Sequence, residues 1–443
     1  MKAAVILSLG ALALAAPTQD ESQGTKIPFA RKRHQHVKKA DGGLDLNWFM
    51  GTLKYTVLKY NKGFALPDIV NKANLVFKRD TNAEEKLTDF TEGQEDELYY
   101  GAGTVGSANQ VFQFDFDTGS SDTFVPGPKC GTAQGCSGTT KYNQGGQDEH
   151  NTTTVTYGSG QVSGENYYDS VTVAGLTATH QNIISLTQAQ GFSGTGSDSL
   201  MGMAFQSIAN SKQPPFFFTL VNQKKVNPTE FSFYLGRQKS GTQGLSEMTL
   251  GGRDSSRYTG AFTPVPVTSQ TYWQVAIDGA TVGSNPTLPT TQGQAAIDTG
   301  TTLIIAPTLA ATSIFAQIPG SIPLPLGVGV PLITLFAYPC ASSPKVALKF
   351  AGKNFAINPL DFNFGTVTED VALNLGIDLS KITNQLCIAG IAGADLDPTE
   401  ELYVVGDTFL KNWYSTYQKI QERPTWTEAS VHFNSAPSPL RSS

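Results

Sequence analysis

The strongest constraint in this sequence is a repeated pattern, Asp-Thr-Gly followed by two hydroxyl-bearing residues, at positions 117–121 and again at 298–302. Each copy follows an apolar run, which places its Asp at the end of a buried strand, and the glycine lets the chain turn sharply. A carboxylate there is costly unless neighbouring amides and hydroxyls donate to it. Two ordinary surface turns would explain neither the apolar lead-in nor the repetition. We therefore interpret the copies as two halves of one site.

Composition and pattern predict a β-rich protein. The chain has 443 residues, of which 39% are hydrophobic and only 15% charged, enough to bury a large core in two domains. From about Glu97 onward, short alternating apolar segments are separated by Gly, Asn, Ser and Pro, which is typical of an all-β fold. We expect strands around 111–116, 152–157, 170–173 and 231–235, and few, short helices, the best candidates being 217–222 and 308–317.

The first residues predict a secretory signal peptide over 1–16. Lys2 precedes an apolar run, 3–14, that ends among small residues at 13, 15 and 16. This run is too short for a membrane anchor, and no internal stretch is long and apolar enough to span a membrane. We expect a secreted, extracellular protein without a membrane or nucleic-acid partner.

The next segment, 17–79, differs in charge from the rest. It holds 12 basic and 5 acidic residues, whereas the chain beyond it holds 18 basic and 32 acidic residues. The segment ends in the dibasic pair Lys78-Arg79, a processing signal, and 80–96 resembles an acidic flexible lead-in. A basic run is often a solvated arm. Its position here favours a prosegment that binds the acidic body and loosens as pH falls.

The four cysteines predict disulfides in an exported chain, and they allow three pairings. Joining Cys130 to Cys136 and Cys340 to Cys387 would staple each half of the chain separately. A metal site is disfavoured, because no Cys-x-x-Cys occurs and only three histidines lie beyond residue 79. We expect no metal or other cofactor. Asn151 begins a glycosylation sequon.

The strings DFDTGSSDTFVP and AAIDTGTTLIIAP, with Tyr-Gly-Ser-Gly at 157–160 between them, resemble the pepsin-like aspartic endopeptidases. The resemblance is strongest to the fungal secreted branch of polyporopepsin-like enzymes, and it covers most of residues 97–435. It implies a monomeric, all-β, bilobal pepsin-like double β-barrel fold with a cleft between pseudo-twofold-related lobes. The lobes would be 97–265, which carries a hairpin flap, and 266–443.

The resemblance also implies roles for the repeated residues. Asp117 and Asp298 would be a catalytic dyad that shares one proton, one carboxylate activating water and the other carboxyl group protonating the peptide carbonyl. The implied supports of the dyad are Thr118, Gly119, Ser120, Thr299, Gly300 and Thr301. The implied flap and substrate-binding residues are Tyr157, Gly158, Ser159, Asp115, Phe124 and Thr302.

Some positions depart from the family pattern. Phe124 stands where many relatives have a tryptophan that donates to the flap tyrosine, so the flap must be positioned differently. Asp115 lies on the same side of its strand as Asp117 and could receive a basic P1 side chain. Relatives that do so also carry an acid on the flap, where this chain has Ser159, and we therefore expect a preference for apolar or aromatic P1 residues.

The prosegment offers a candidate for self-inhibition. Lys59-Tyr60 resembles the pair by which zymogens of this family place an ammonium group against the dyad. Lys54-Tyr55 is the rival register, and a solvated helix face is the alternative to both.

Two other classes of protein compete with the endopeptidase. A glycoside hydrolase also uses paired carboxylates but needs no repeated Asp-Thr-Gly. A non-catalytic pepsin-fold binding or inhibitor protein usually lacks a dyad Asp or the flap tyrosine, whereas this chain keeps all three. We therefore predict an aspartic-type endopeptidase, made as a zymogen, that cleaves proteins and peptides at acidic pH.

Overall fold

The computed structural model describes residues 24–28, 30–31, 43–60, 99–136, 139–157, 160–189, 199–237, 246–289, 292–326, 333–397, 399–421 and 427–435. The predicted signal peptide, the Lys78-Arg79 pair and the lead-in at 80–96 lie outside these ranges. So do Gly158 and Ser159.

Strands dominate the described residues, which confirms the predicted all-β class. In β4, for example, the alternate residues Phe112, Phe114 and Phe116 all pack into the main hydrophobic core. The strands in chain order are β1 Thr25–Pro28, β2 Ala30–Arg31, β3 Tyr99–Val105, β4 Gln110–Asp117, β5 Thr123–Pro126, β6 Gln147–Tyr157, β7 Gly160–Val173, β8 Leu176–Ala189, β9 Ser199–Gly202, β10 Glu230–Tyr234, β11 Glu247–Leu250, β12 Thr259–Gln270, β13 Trp273–Ile277, β14 Ala280–Val282, β15 Asn285–Pro286, β16 Gly293–Ile297, β17 Ile304–Ala306, β18 Ile322–Leu326, β19 Ile333–Pro339, β20 Val346–Phe350, β21 Lys353–Ala356, β22 Asn363–Thr366, β23 Leu386–Ala389, β24 Ile391–Gly393, β25 Leu402–Val405, β26 Trp413–Gln421 and β27 Thr427–Ser435.

The α-helices of the described residues are α1 Leu46–Tyr60, α2 Phe216–Asn222, α3 Thr308–Ala316, α4 Pro359–Phe362, α5 Glu369–Leu375 and α6 Asp407–Leu410. Helices α2 and α3 confirm the two helices predicted from the sequence. Helix α1 was not predicted, and with 15 residues it is longer than the short helices expected. None of the helices in the described part of the chain is long and apolar enough to cross a membrane.

The strands of the described residues form three sheets. An eight-stranded sheet of the N-terminal half runs β2-β3-β4-β9-β5-β8-β7-β6. A fifteen-stranded sheet holds β10 and β11 of that half together with β26, β27 and most strands of the C-terminal half, and a four-stranded sheet runs β15-β14-β20-β21. Because β10 pairs with β26, placing Phe231 opposite Tyr417, the two lobes are joined by continuous backbone hydrogen bonding.

The two halves repeat one local arrangement. In the first, β4 lies parallel to β9, and β5 lies antiparallel to the same strand. In the second, β16 lies parallel to β25, and β17 lies antiparallel to it. Each Asp-Thr-Gly segment is therefore the loop between two strands that flank a third, apolar strand. This internal repetition agrees with the bilobal fold that the sequence predicted.

Residues of the basic segment 17–79 also enter the sheets. Strand β1 extends the large sheet by pairing with β11, and β2 pairs with β3 at the edge of the eight-stranded sheet. Gly43 forms an isolated parallel bridge to Thr366. The described residues of this basic segment thus cover a sheet edge in each half of the molecule. An uncovered edge would expose unpaired amides and carbonyls.

Candidate active site

The two Asp-Thr-Gly loops bring Asp117 and Asp298 together. Asp117 is the last residue of β4, and Asp298 directly follows β16. Both residues are fully buried, and their carboxyl groups lie close enough for one ammonium group to bond to both. Two carboxylates this close in a buried site disfavour each other's ionisation.

Each carboxylate accepts hydrogen bonds from its own loop. The amide of Gly119 donates to Oδ1 of Asp117 at 2.8 Å, and Ser120 Oγ donates to Oδ2 at 2.5 Å. In the second loop, the amide of Gly300 donates to Oδ1 of Asp298 at 2.9 Å, and the Thr301 hydroxyl donates to Oδ2. These donors are the ones expected from the sequence, and they offset the cost of burying charge.

The loops are locked to each other by their threonines. The Thr118 amide donates to Thr299 Oγ1 at 3.1 Å, and the Thr299 amide donates to Thr118 Oγ1 at 2.9 Å. The hydroxyl of Thr118 in turn donates to the carbonyl of Ile297 at 2.8 Å, and that of Thr299 donates to the carbonyl of Phe116 at 2.6 Å. All these groups are buried, so the network fixes the spacing of the two carboxylates.

The glycines of the loops leave room for the opposite carboxylate. A Cβ atom added to Gly300 would lie 2.3 Å from Oδ1 of Asp117, and one added to Gly119 would lie 2.5 Å from Oδ1 of Asp298. Both distances are far below van der Waals contact, so any side chain here would push the acids apart.

Lys59 and Tyr60, the last two residues of helix α1, contact the two acids. Nζ of Lys59 lies 2.7 Å from Oδ1 of Asp117 and 3.0 Å from Oδ2 of Asp298, and its side chain is only 4% exposed. The Tyr60 hydroxyl donates to Oδ2 of Asp298 at 2.9 Å. Lys54, the rival candidate, lies five residues earlier on the same helix. The structure therefore brings the Lys59-Tyr60 pair, rather than a solvated helix face, to the two acids.

Charges within the site shift the pKa values of its members. Burial lowers the pKa of Lys59, but the charges of Asp117 and Asp298 outweigh this effect and raise it. Burial raises the pKa of Asp298, but Lys59 and the hydrogen bonds outweigh it, so the net shift is downward. For Asp117, burial and the Asp298 charge raise the pKa more than Lys59 lowers it. The site thus favours a protonated Lys59 next to two carboxyl groups that together carry negative charge.

Apolar contacts hold α1 in place. Phe49, Leu53 and Val57 are fully buried in a cluster with strands of the C-terminal lobe. The ring of Phe49 meets that of Phe364 edge-on at 5.7 Å, and the ring of Tyr60 packs against Tyr272 at 4.7 Å. Sequence analysis missed this helix and Tyr272. The recurrence of apolar residues at three- and four-residue steps along 46–60 was the available signal for the helix.

The other predicted residues take several positions. Thr302 is buried beside the second loop, and Phe124 is buried in a separate cluster with Val155, Leu200 and the first disulfide. Tyr157 ends strand β6, and its side chain lies outside the described part. Asp115 is 9% exposed, and its pKa is raised well above the usual range, chiefly by burial and by Asp117.

Both predicted disulfides are present, with Cys130 bonded to Cys136 and Cys340 to Cys387. Each bridge lies within one half of the molecule, as the sequence led us to expect. Asn151 is exposed on β6, where its side-chain oxygen accepts a hydrogen bond from Asn166. Within the described ranges, no group of three or more His, Cys, Asp or Glu side chains is arranged to hold a metal ion.

Comparisons with known proteins agree with this geometry. The family model described as eukaryotic aspartyl protease matches residues 98–427. An aspartic protease of Phaffia rhodozyma is 33% identical over 417 residues, which cover 92% of this chain and 93% of that protein. Cathepsin D of Dictyostelium discoideum is 33% identical over 334 residues, covering 73% and 81%. Cathepsin D of Bos taurus is 32% identical over 355 residues, covering 76% and 85%.

Proposed function

This chain belongs to the eukaryotic aspartyl protease family and is an aspartic-type endopeptidase, and on that basis we propose that Asp117 and Asp298 are its catalytic dyad. We propose further that it is made as a secreted, self-inhibited precursor that cleaves proteins at acidic pH. The observation that carries this proposal is the Lys59 ammonium group, which lies 2.7 Å from one carboxylate and 3.0 Å from the other.

In the proposed reaction, the acids act on a peptide bond once helix α1 has left the cleft. The charged carboxylate takes a proton from water as the water attacks the peptide carbonyl carbon. The protonated carboxyl group donates to the carbonyl oxygen, which stabilises the tetrahedral intermediate. A proton then passes to the leaving nitrogen, and the C–N bond breaks. Shared protonation of such a pair is already described for aspartic proteases as a class.

Latency at neutral pH follows from the charges of the site. The ammonium of Lys59 and the hydroxyl of Tyr60 occupy the space between the acids where water and substrate must lie. As pH falls through the pKa of the carboxyl groups, the attraction that holds Lys59 weakens. The basic leader, 17–79, then separates more easily from the acidic body, and cleavage after Lys78-Arg79 would make the change permanent.

Secretion is supported by two independent features. Residues 1–16 have the order of a charged, an apolar and a small-residue region that marks a signal peptide. The two disulfides fit an oxidising compartment. The relative in the yeast Phaffia rhodozyma, which covers nearly all of the chain, supports the fungal branch of the family.

The deciding experiment replaces each acid in the full chain. Asp117→Asn and Asp298→Asn should each lower acid hydrolysis of a protein substrate by about 100-fold to 10,000-fold or more. The control Asp378→Asn changes an exposed acid whose side chain is 52% accessible, and it should keep full activity. A statine-type transition-state mimic should inhibit the wild type, whereas a chelator should not.

The competing function is a pepsin-fold protein that binds peptides without cleaving them. Such a protein would bind the statine mimic yet show the same negligible hydrolysis in the wild type and in both Asn variants. That result would overturn the proposed roles of Asp117 and Asp298.

A further inference from the structure

The glycosylation sequon that begins at Asn151 has no part in the catalytic roles above. Asn151-Thr152-Thr153 lies in β6, and it is the one Asn-x-Ser/Thr sequence in the chain whose middle residue is permitted. Proline occupies the middle position of the other two copies, at 227–229 and 285–287, and excludes them. An N-linked glycan on this chain therefore has a single candidate acceptor.

Asn151 lies at a break in the pairing of the sheet. The register between β6 and β7 shifts between Asp148 and Thr152, and His150, inside this break, has a φ of 56°. A bulge of this kind bends its strand and changes the direction of the side chains within it. Asn151 at the break is exposed, whereas Thr153, beyond the break, is only 6% exposed.

Hydrogen bonds determine which atom of the Asn151 side chain is free. Glu149 accepts from Nδ2 of Asn182 at 2.7 Å, and because an ionised carboxylate can only accept, this contact fixes the orientation of the Asn182 amide. The same Nδ2 donates to Oδ1 of Asn166 at 3.5 Å, which fixes that amide in turn. Nδ2 of Asn166 then donates to Oδ1 of Asn151. Nδ2 of Asn151, the atom that bonds to the sugar in an N-linked glycan, has no hydrogen-bond partner among the described residues.

A glycan at this atom is compatible with the hydrogen bond to Asn166. In the transfer, Nδ2 loses a proton and bonds to the anomeric carbon of a lipid-diphosphate-linked oligosaccharide, whose bond to the phosphate oxygen breaks and releases the lipid diphosphate. The product keeps the carbonyl oxygen of Asn151, which can still accept from Asn166. The Thr153 hydroxyl, which the sequon requires, is bonded to Asn166 in the folded chain, so the transfer must precede the pairing of β6 with β7.

The segment that follows Asn151 forms a free sheet edge. Strand β6 is the last strand of the eight-stranded sheet, and among the described strands it pairs only with β7. Residues 152–157, Thr-Thr-Thr-Val-Thr-Tyr, are all β-branched or aromatic, and they contain neither a charge nor a proline. Segments of this composition at a sheet edge pair readily with other chains and aggregate.

We propose that Asn151 carries an N-linked glycan, which covers the free edge of β6 and prevents it from pairing with another chain. A glycan is bulky and solubilising, so it can replace the edge charges that residues 152–157 lack. This inference rests on the proposed secretion, because the lipid-linked donor and its transferase belong to the secretory pathway.

The site is tested with the full chain in a eukaryotic secretory host, made once with residues 1–16 and once with a signal peptide of the host in their place. With the host signal peptide, peptide-N-glycosidase should increase the gel mobility of the wild type and leave aspartate at position 151. Asn151→Gln and Thr153→Ala should already have that higher mobility, whereas Thr152→Ala, which keeps the sequon, should retain the glycan. Loss of secretion only in the chain with residues 1–16 would contradict the proposed secretion and not the glycan.

The role of the glycan is tested by the turbidity of the intact precursor at neutral pH. Asn151→Gln should aggregate severalfold faster than the wild type, because the edge of β6 is then uncovered. Adding Thr156→Lys to this variant places a charge on an exposed position of the same edge and should restore slow aggregation. Asn374→Gln, which changes an exposed asparagine of α5 outside any sequon, is the matched control and should behave as the wild type.

Two results would overturn the site: a secreted wild type whose mobility peptide-N-glycosidase does not change, or an Asn151→Gln protein whose mobility it still changes. Equal aggregation of the wild type and Asn151→Gln would overturn the protection of the edge. Aggregation of the double variant as fast as that of Asn151→Gln alone would do so too, because the responsible surface would then lie elsewhere.

Discussion

The main-chain amide of Thr118 donates to the side-chain oxygen of Thr299 at 3.1 Å, and the amide of Thr299 donates to that of Thr118 at 2.9 Å. The two residues come from different lobes, and both are buried. Their hydroxyls also donate across the interface, to carbonyls that directly precede the opposite Asp-Thr-Gly. The position of one acid is thus determined by the backbone of the other lobe.

These mutual hydrogen bonds predict that the hydroxyl group of each threonine, rather than its shape, stabilises the protein. Thr118→Val keeps the volume but leaves the Thr299 amide and the Ile297 carbonyl without partners, which should cost about 2–4 kcal/mol of unfolding free energy. Thr118→Ser keeps the hydroxyl and should cost less than about 1.5 kcal/mol. Chemical denaturation of both variants measures the difference. Equal losses for Val and Ser would contradict the role of the hydroxyl.

Replacing a glycine of either loop by alanine should lower activity while the protein still folds. In Gly300→Ala the new methyl group would lie 2.3 Å from Oδ1 of Asp117, so the acids must separate. A shift of even 1 Å costs catalysis about 100-fold, and we expect at least that fall in kcat/KM. Gly131→Ala is the control, since its added carbon would meet nothing closer than 3.3 Å. Retention of near-normal kcat/KM by Gly300→Ala would argue against a narrow separation of the acids.

Much of this architecture could be predicted from the sequence because it depends on local, strongly patterned residues. The repeated Asp-Thr-Gly located both acids and their donors. The apolar run at 111–116 predicted a buried strand, and the spacing of the cysteines favoured one bridge within each half. In each case the residues of a short stretch determine the local structure.

What was missed depends on contacts between distant segments. No local pattern in the sequence of β26 and β27 shows that these strands complete the sheet that joins the lobes. Tyr417 packs against Phe231 and Trp273, neither of which is near it in sequence. Pairing of β1 with β11 likewise joins residues more than two hundred positions apart. No local pattern specifies such partners.

Glu247 lies on β11, the strand that pairs with β1. Its surroundings predict that the stability of the full chain depends on pH. Burial and the nearby Asp254 raise the pKa of Glu247 to about 7. A carboxyl group whose pKa is raised on folding contributes stability at pH values below its ordinary pKa, and this stability is lost as pH rises through about 7. The unfolding temperature of the precursor should therefore fall between about pH 5 and 8. Glu247→Gln, which is always neutral, should remove most of that fall.

The control for this prediction is Glu369→Gln, which changes an exposed carboxylate in the first turn of α5. It should leave the dependence on pH as it is in the wild type. An unfolding temperature that falls equally in wild type and Glu247→Gln would place the responsible group elsewhere.

The contacts of Lys59 predict how the proposed latency of the full chain would be lost. The site lowers the pKa of Asp298 and raises that of Lys59, so their attraction is fully present at neutral pH and is lost as pH falls through the lowered pKa of Asp298. Lys59→Met keeps much of the apolar volume but removes the ammonium. The intact Lys59→Met precursor should therefore cleave a fluorogenic peptide at about pH 6, where the wild-type precursor stays silent until it is acidified. Lys54→Met, on the same helix, should stay as latent as the wild type. Should the Lys59→Met precursor be equally silent at that pH, the apolar packing of α1 rather than the ammonium would maintain latency, and the charge of Lys59 would have no part in it.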